Sequence, residues 1–197
     1  MPLGRPIEFN PDHVVNAAML AFWSKGYEAT SLSDLLETTK LSKSSFYQSF
    51  GSKKEMFHRC VMRYTDDLIK SLRTSMAVSP TPLTFIHEML MDCATEGAHT
   101  TLPLGCLNMN TASEFGQREP EFSAWVAECM ARVHAVFVSA IEHGQAMGEV
   151  TLRQSAPALA TYVMTSRAGV GTMVKAGTPP AMMLSVVDVV VAALRAD

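Results

Sequence analysis

Gly26-Tyr27-Glu28-Ala29-Thr30-Ser31-Leu32-Ser33-Asp34-Leu35-Leu36 is followed, four residues on, by Leu41-Ser42-Lys43-Ser44-Ser45-Phe46-Tyr47-Gln48-Ser49-Phe50-Gly51-Ser52-Lys53-Lys54-Glu55. The pattern predicts two short helices, at about 32–39 and 43–49, with Lys40-Leu41-Ser42 between them. Ser31 and Ser42 are N-cap residues, whose hydroxyls can accept from the first unpaired N–H groups. Leu32, Leu35 and Leu36 give the first helix its apolar face, and Phe46, Tyr47 and Phe50 the second. Gly51-Ser52 then punctuates, and Glu55, three residues after Ser52, has capping-box spacing at the start of a longer helix. This is helix-turn-helix spacing. Leu35, Leu41, Phe46 and Phe50 can lock the second short helix across the first. Ser42, Lys43, Ser44, Ser45, Tyr47 and Gln48 then lie at or near its exposed N-terminal end. Small hydroxyls, an amide and a cation are groups that approach phosphates and base edges. Thr30 and Ser31 at one helix start, and Lys53 and Lys54 at the next, are further phosphate candidates, because helix N-termini favour anions.

Outward from this core, helical spacing continues and strand-type alternation is absent. Asn10-Pro11 opens a helix with Val15, Ala18, Met19 and Phe22 on one face, stopped by Gly26. Phe57, Cys60, Val61, Tyr64, Leu68 and Leu72 form the stripe of the helix after Ser52. Pro80 and Pro82 mark a boundary, followed by a helix from about 82 to 100 and a break at Leu102-Pro103-Leu104-Gly105. A shorter helix carries Cys106 to Phe115, and a long one has Phe122, Val126, Cys129, Val133, Phe137 and Ile141 on one face. Two last helices run from about 155 to 175 and from 179 to 195. Between Gln154 and Leu194 only Arg167, Lys175 and Asp188 are charged, so both helices must be buried on more than one side. A homodimer interface through these two helices is the simplest way to achieve that. The expected division is 1–56 for a DNA-binding head and 57–197 for a dimerisation body.

Composition narrows the alternatives. With 48% apolar and 18% charged residues in 197, the chain is an ordered globular protein, and its length suits one domain or two small ones. The net charge of −3 conceals an asymmetry: residues 1–73 hold 10 Lys and Arg against 8 Asp and Glu, whereas residues 74–197 hold 6 against 11. A basic head on an acidic body fits a nucleic-acid reader joined to something else. No 18-residue apolar run is evident, and Met1 to Pro11 carries no secretory apolar region, so a cytoplasmic protein without a membrane span is expected. Cys60, Cys93, Cys106 and Cys129 lack metal spacing and are expected as free thiols. His87-Glu88-Met89-Leu90-Met91 has Met where a zinc motif needs its second His. Gly169-Val170-Gly171 lacks the third glycine and the strand of a dinucleotide site, and is expected to let helices approach closely. Neither an enzyme nor a cofactor is implied.

The stretch 26–55, with the preceding helix from residue 10, resembles the N-terminal domain of the TetR family of transcriptional repressors. The resemblance spans about residues 10–57, with Lys40 where the family usually has a turn Gly, Leu36 where it has a small Ala, and Ser44 in place of a common Gly. It implies an all-α protein of nine or so helices, with a three-helix, homeodomain-like head. It also implies a helical C-terminal body that holds an effector pocket and forms the homodimer through a four-helix bundle. The implied function is a ligand-responsive repressor on a palindromic double-stranded operator, released by a small molecule or a reactive electrophile or oxidant. The alternative is a small-molecule or redox binding module without DNA affinity.

Gly105-Cys106-Leu107 resembles the opening of the pocket helix in one branch of that family, which includes electrophile and oxidant sensors. There Cys106 is either a sensing thiol or a small buried hydrophobe. Cys60, Cys93 and Cys129 fall on apolar stripes and are expected in the core. An apolar effector pocket is expected to draw on the methionines, Met91 and Met109 among them, with His87, Asn110, Glu114, Trp125 and Tyr162 as polar handles. Arg167, isolated in an apolar helix, either binds an anionic effector or pairs with an acid at the interface.

Overall fold

The computed structural model describes residues 9–99 and 104–196. The expected features at Met1–Glu8 and at Leu102-Pro103 lie outside the described residues. Nine α-helices are found among them: α1 Pro11–Lys25, α2 Leu32–Thr39, α3 Lys43–Phe50, α4 Lys53–Val78, α5 Pro82–His99, α6 Leu107–Phe115, α7 Pro120–Ala146, α8 Ala156–Lys175 and α9 Pro180–Leu194. The extended pairing seen there is one isolated antiparallel bridge, Val150 with Arg195. The chain divides into two compact units, Met1–Tyr64 and Thr65–Asp197.

In the first unit, polar caps fix where each helix begins. Asn10 Oδ1 accepts from the N–H groups of Asp12 and His13, with Pro11 at the first helical position. Ser31 and Asp34 form a reciprocal capping box, satisfying two N–H groups that the helix cannot pair itself. Asp34 also accepts from Lys25 Nζ at 2.8 Å. That contact, with the bonds from Ser31, holds its carboxyl well below the usual carboxylate range. The core under these helices is Ala18, Phe22, Leu35, Phe46, Phe50, Met56, Phe57 and Val61, all at most 2% exposed. Phe22 meets Phe57 edge-on with centroids 4.9 Å apart, and Tyr27 lies 5.0 Å from Phe57. The buried stripe of α1 is Val14, Ala18 and Phe22, strictly four residues apart. It displaces the expected Val15 and Met19 to the half-buried flanks, a rotation of one position about the helix axis.

The second unit packs α5, α7, α8 and α9 around one core that includes Phe85, Ile86, Leu90, Phe137, Ile141 and Val187. Helix α7 is, among the described residues, long and apolar enough to cross a bilayer, contrary to the expectation that none would be. Its stripe Phe122, Val126, Cys129, Val133, Phe137, Ile141 is buried, the last three residues in this core, while Glu128 and Glu142 face outward, which is the pattern of a core helix. Beside it, Asn108 of α6 and Thr65 of α4, both fully buried, satisfy each other through Asn108 Nδ2 donating to Thr65 Oγ1 at 3.0 Å. A buried amide and hydroxyl would otherwise each be costly to desolvate. Cys60 and Cys129 are buried as expected. Burial pushes both thiols up, so they stay neutral. Cys93 departs from that expectation: it is half-buried and borders a cavity.

Candidate nucleic-acid interface and effector cavity

Helices α2 and α3 are eight residues each, and the turn between them is made by Lys40 in the left-handed region, φ 58° and ψ 25°. Among the described residues it is the one non-glycine with positive φ. The turn redirects the chain so that α3 can bury Phe46 and Phe50 and turn its other side outward. Lys43, Ser44, Tyr47 and Gln48 are exposed there, at positions i, i+1, i+4 and i+5, which makes one contiguous polar strip. Tyr47 is 45% exposed and braced edge-on by Phe46, so its phenol is presented outward rather than buried. Ser42 is the N-cap: its Oγ accepts from the Ser45 N–H at 3.1 Å and pairs with the Ser45 hydroxyl at 2.9 Å. Ser45 is accordingly half-buried and partly engaged.

Ser31 is exposed beside this strip's partner helix. Thr30 is not available in the same way: it is fully buried, and its hydroxyl donates to the Gly26 carbonyl at 2.6 Å. Its role is to close the turn before α2, which corrects the expectation of a phosphate contact through that hydroxyl. Lys53 opens α4 with its ammonium 4.2 Å above the Tyr27 ring, a position that fixes the charge rather than leaving it to wander.

A cavity of about 360 Å³ lies in the second unit. One wall is the face of α6 formed by Cys106, Met109, Asn110 and Ser113. The opposite wall is Arg167, Gly171 and Lys175 of α8, each one turn from the next, and Cys93 and Glu96 of α5 complete it. Gly105, at φ +68°, starts the turn into α6; a Cβ there would touch the Lys175 stem at 3.4 Å. At Gly171 a Cβ would come 3.4 Å from Cys93 Sγ, whereas at Gly169 it would meet nothing within 4 Å. Only the second of the two glycines therefore serves close helix approach. Cys106 occupies the N-cap of α6 without a side-chain cap bond, so its sulfur is not committed to the helix. Asn110 is oriented by donating to the Leu104 carbonyl at 3.0 Å and accepting from Lys175 Nζ at 3.1 Å.

Of the expected handles, Cys106, Met109 and Asn110 share this cavity and the others do not. His87 lines a different groove with Thr84, Glu149, Asp188 and Arg195. Met91 packs against the body core, and Trp125 lies on Phe122 at 4.8 Å. The Glu114 carbonyl accepts from Arg118, and Tyr162 is 38% exposed on α8. Sequence reasoning left Arg167 undecided and missed Lys175, Glu96 and Ser113. The available signal was that α8 carries two charges, eight residues apart and hence on one face.

The comparisons with known proteins cover both units. Residues 14–60 match the family described as bacterial regulatory proteins, tetR family, and residues 84–187 match the tetracyclin repressor-like C-terminal domain. The repressor ComR of Escherichia coli is 43% identical over 63 residues, 32% of this chain and 30% of that protein. The uncharacterised regulator YezE of Bacillus subtilis is 25% identical over 170 residues, 84% of this chain and 86% of its own length. Among solved structures, a cysteine mutant of the TetR family regulator CifR with 26-bp double-strand operator DNA aligns with TM-score 0.79 and 26% identity, covering 97% of this chain and all of the other. The reduced form of NemR from Escherichia coli shares the fold, with TM-score 0.85 and 17% identity over 94% of this chain and 97% of its own.

Proposed function

Because the chain belongs to the TetR family of bacterial regulatory proteins, we propose that it is a cytoplasmic homodimeric repressor that releases a palindromic operator when an effector enters the cavity beside Cys106. The single observation that carries the DNA half of this reading is the exposed strip on α3 over a fully buried Phe46 and Phe50. Lys43, Tyr47 and Lys53 hold phosphates, with Ser31 and Ser42 at the helix starts, while Ser44, Ser45 and Gln48 face base edges. Phosphate contacts set register and most of the affinity; the base-facing groups set sequence preference. Residues 1–56 act as the reader and 57–197 as the effector and dimer module. The exposed apolar side chains Met182, Val186 and Val189 of α9, with Tyr162 and Met173 of α8, support pairing of two chains through these helices.

The effector is a small molecule or a reactive electrophile or oxidant. Cys106 supports the reactive option, since its thiol borders the cavity and makes no cap bond. Release requires only that the effector bind one conformation of the dimer better than the DNA-competent one. A mobility-shift assay on the intergenic DNA flanking the gene tests the reading: a discrete complex is expected, and no retention of any flanking duplex would refute it. Comparing release by hypochlorite or an enone in the wild type and Cys106→Ser decides the role of the thiol. An identical response in both removes Cys106 from the mechanism.

A further inference from the structure

We infer that the Cys106 cavity is built for a small organic monocarboxylate, with Arg167 as the principal anion holder and Lys175 as the second cation; this rests on the reading of that cavity as the effector site. Helix α8 is otherwise uncharged from Ala156 to Val174, yet its two cations, Arg167 and Lys175, both line this one cavity. They stand two turns apart, about 12 Å along the axis, with Gly171 between them. A Cβ at Gly171 would come 3.4 Å from Cys93 Sγ, so its absence keeps this stretch of α8 close to α5 along the cavity wall.

Charge balance selects the ligand. The body carries an excess of acids, 11 against 6 basic residues over 74–197. Two other cavities follow that bias: one is bordered by Glu88, Asp92 and Glu96 against Arg167, the other by Glu149 and Asp188 against Arg195. The Cys106 cavity shares Arg167 and Glu96 with the first of these and adds Lys175, so its lining holds two cations beside one acid. A carboxylate that enters it meets both cations, and a charged ligand is retained in such a site only when it is paired in this way. Arg167 offers a planar fork that matches a carboxylate through two parallel N–H donors. Lys175 is exposed, and its ammonium is already directed to Asn110 Oδ1 at 3.1 Å, which places a second donor at the cavity mouth. A volume of about 360 Å³ is at the small end for ligand sites, so the acid is compact.

The test is calorimetric titration of the full-length chain with hexanoate, octanoate and 3-phenylpropionate, each beside its uncharged amide. At least one acid is expected to bind about tenfold or more tightly than its amide. Arg167→Gln is expected to abolish that preference, Arg167→Lys to restore part of it, and Lys175→Gln to reduce it by a smaller factor. Far-UV circular dichroism melts of the variants establish that they are folded. The inference is overturned if no acid of the series binds, if amides bind as well as acids, or if Arg167→Gln lowers the melting temperature while leaving the preference intact. Mobility shift on operator DNA separates this failure from that of the underlying reading. Release by uncharged compounds alone leaves the repressor reading standing and removes the carboxylate, whereas no complex with any operator removes the repressor itself.

Discussion

Replacing Lys43 with alanine isolates the electrostatic part of DNA binding. Lys43 is exposed at the first position of α3 and, among the described residues, is held by no ion pair, so its full charge is available to a phosphate. Each phosphate contact contributes about 0.9 to the slope of log K against log salt. A symmetric dimer loses two such contacts, so the slope should become shallower by about 1.8. Between 50 and 200 mM salt the wild type should then lose about twelvefold more affinity than the variant does. Extrapolated from a 1 M reference to 0.15 M, the same two contacts are worth roughly thirtyfold in affinity. Fluorescence anisotropy with a labelled operator duplex, repeated across a salt series, measures both quantities. Gln48→Ala is the internal control: it removes no charge, so it should keep the wild-type slope and change only the ranking of operator variants. Equal slopes for wild type and Lys43→Ala, or a slope change in Gln48→Ala, would refute the assignment of phosphate and base contacts on α3.

Other consequences follow from single residues. Lys40→Gly relieves a left-handed non-glycine turn and should stabilise the first unit by about 1 kcal/mol, read as a raised denaturant midpoint with unchanged m-value. Asp34 has its carboxyl depressed by Lys25 and Ser31, so its contribution is fully present above its ordinary pKa of 3.8 and lost as the pH falls below that. The stability gap between wild type and Asp34→Asn should therefore be constant from neutral pH to about 5 and close in strong acid. Val189→Asp places a charge on the most exposed large apolar side chain of α9 and should yield monomers by sedimentation together with loss of tight operator binding.

Local chemistry was the part of this molecule that its sequence displayed openly. Asn10, Ser31 and Ser42 cap the helices they were expected to cap, because a cap depends only on residues within one turn. Lys40 sits in the left-handed turn against its own preference, at the position where the family resemblance put a glycine. What failed was rotation about helix axes. On α1 several apolar positions compete, and only burial in the folded unit, where Phe22 meets Phe57, chooses Val14 over Val15. The cavity was less legible still, since it is assembled from α5, α6 and α8, and no spacing within one helix says which faces will meet. His87 and Tyr162 belong to apolar helices as Cys106's neighbours do, yet they are turned to other surfaces. Thr30 misled because Ser and Thr serve equally as exposed donors and as internal closures of a turn, and burial alone separates the two.

The account stands on two chains jointly reading a duplex, and light scattering coupled to size exclusion addresses that directly. The purified chain should elute at about 43 kDa, twice its 21.5 kDa mass, and shift as one dimer per site on a duplex carrying a palindrome from its own upstream region. A species at the mass of one chain, or a dimer that retains no such duplex, would contradict it.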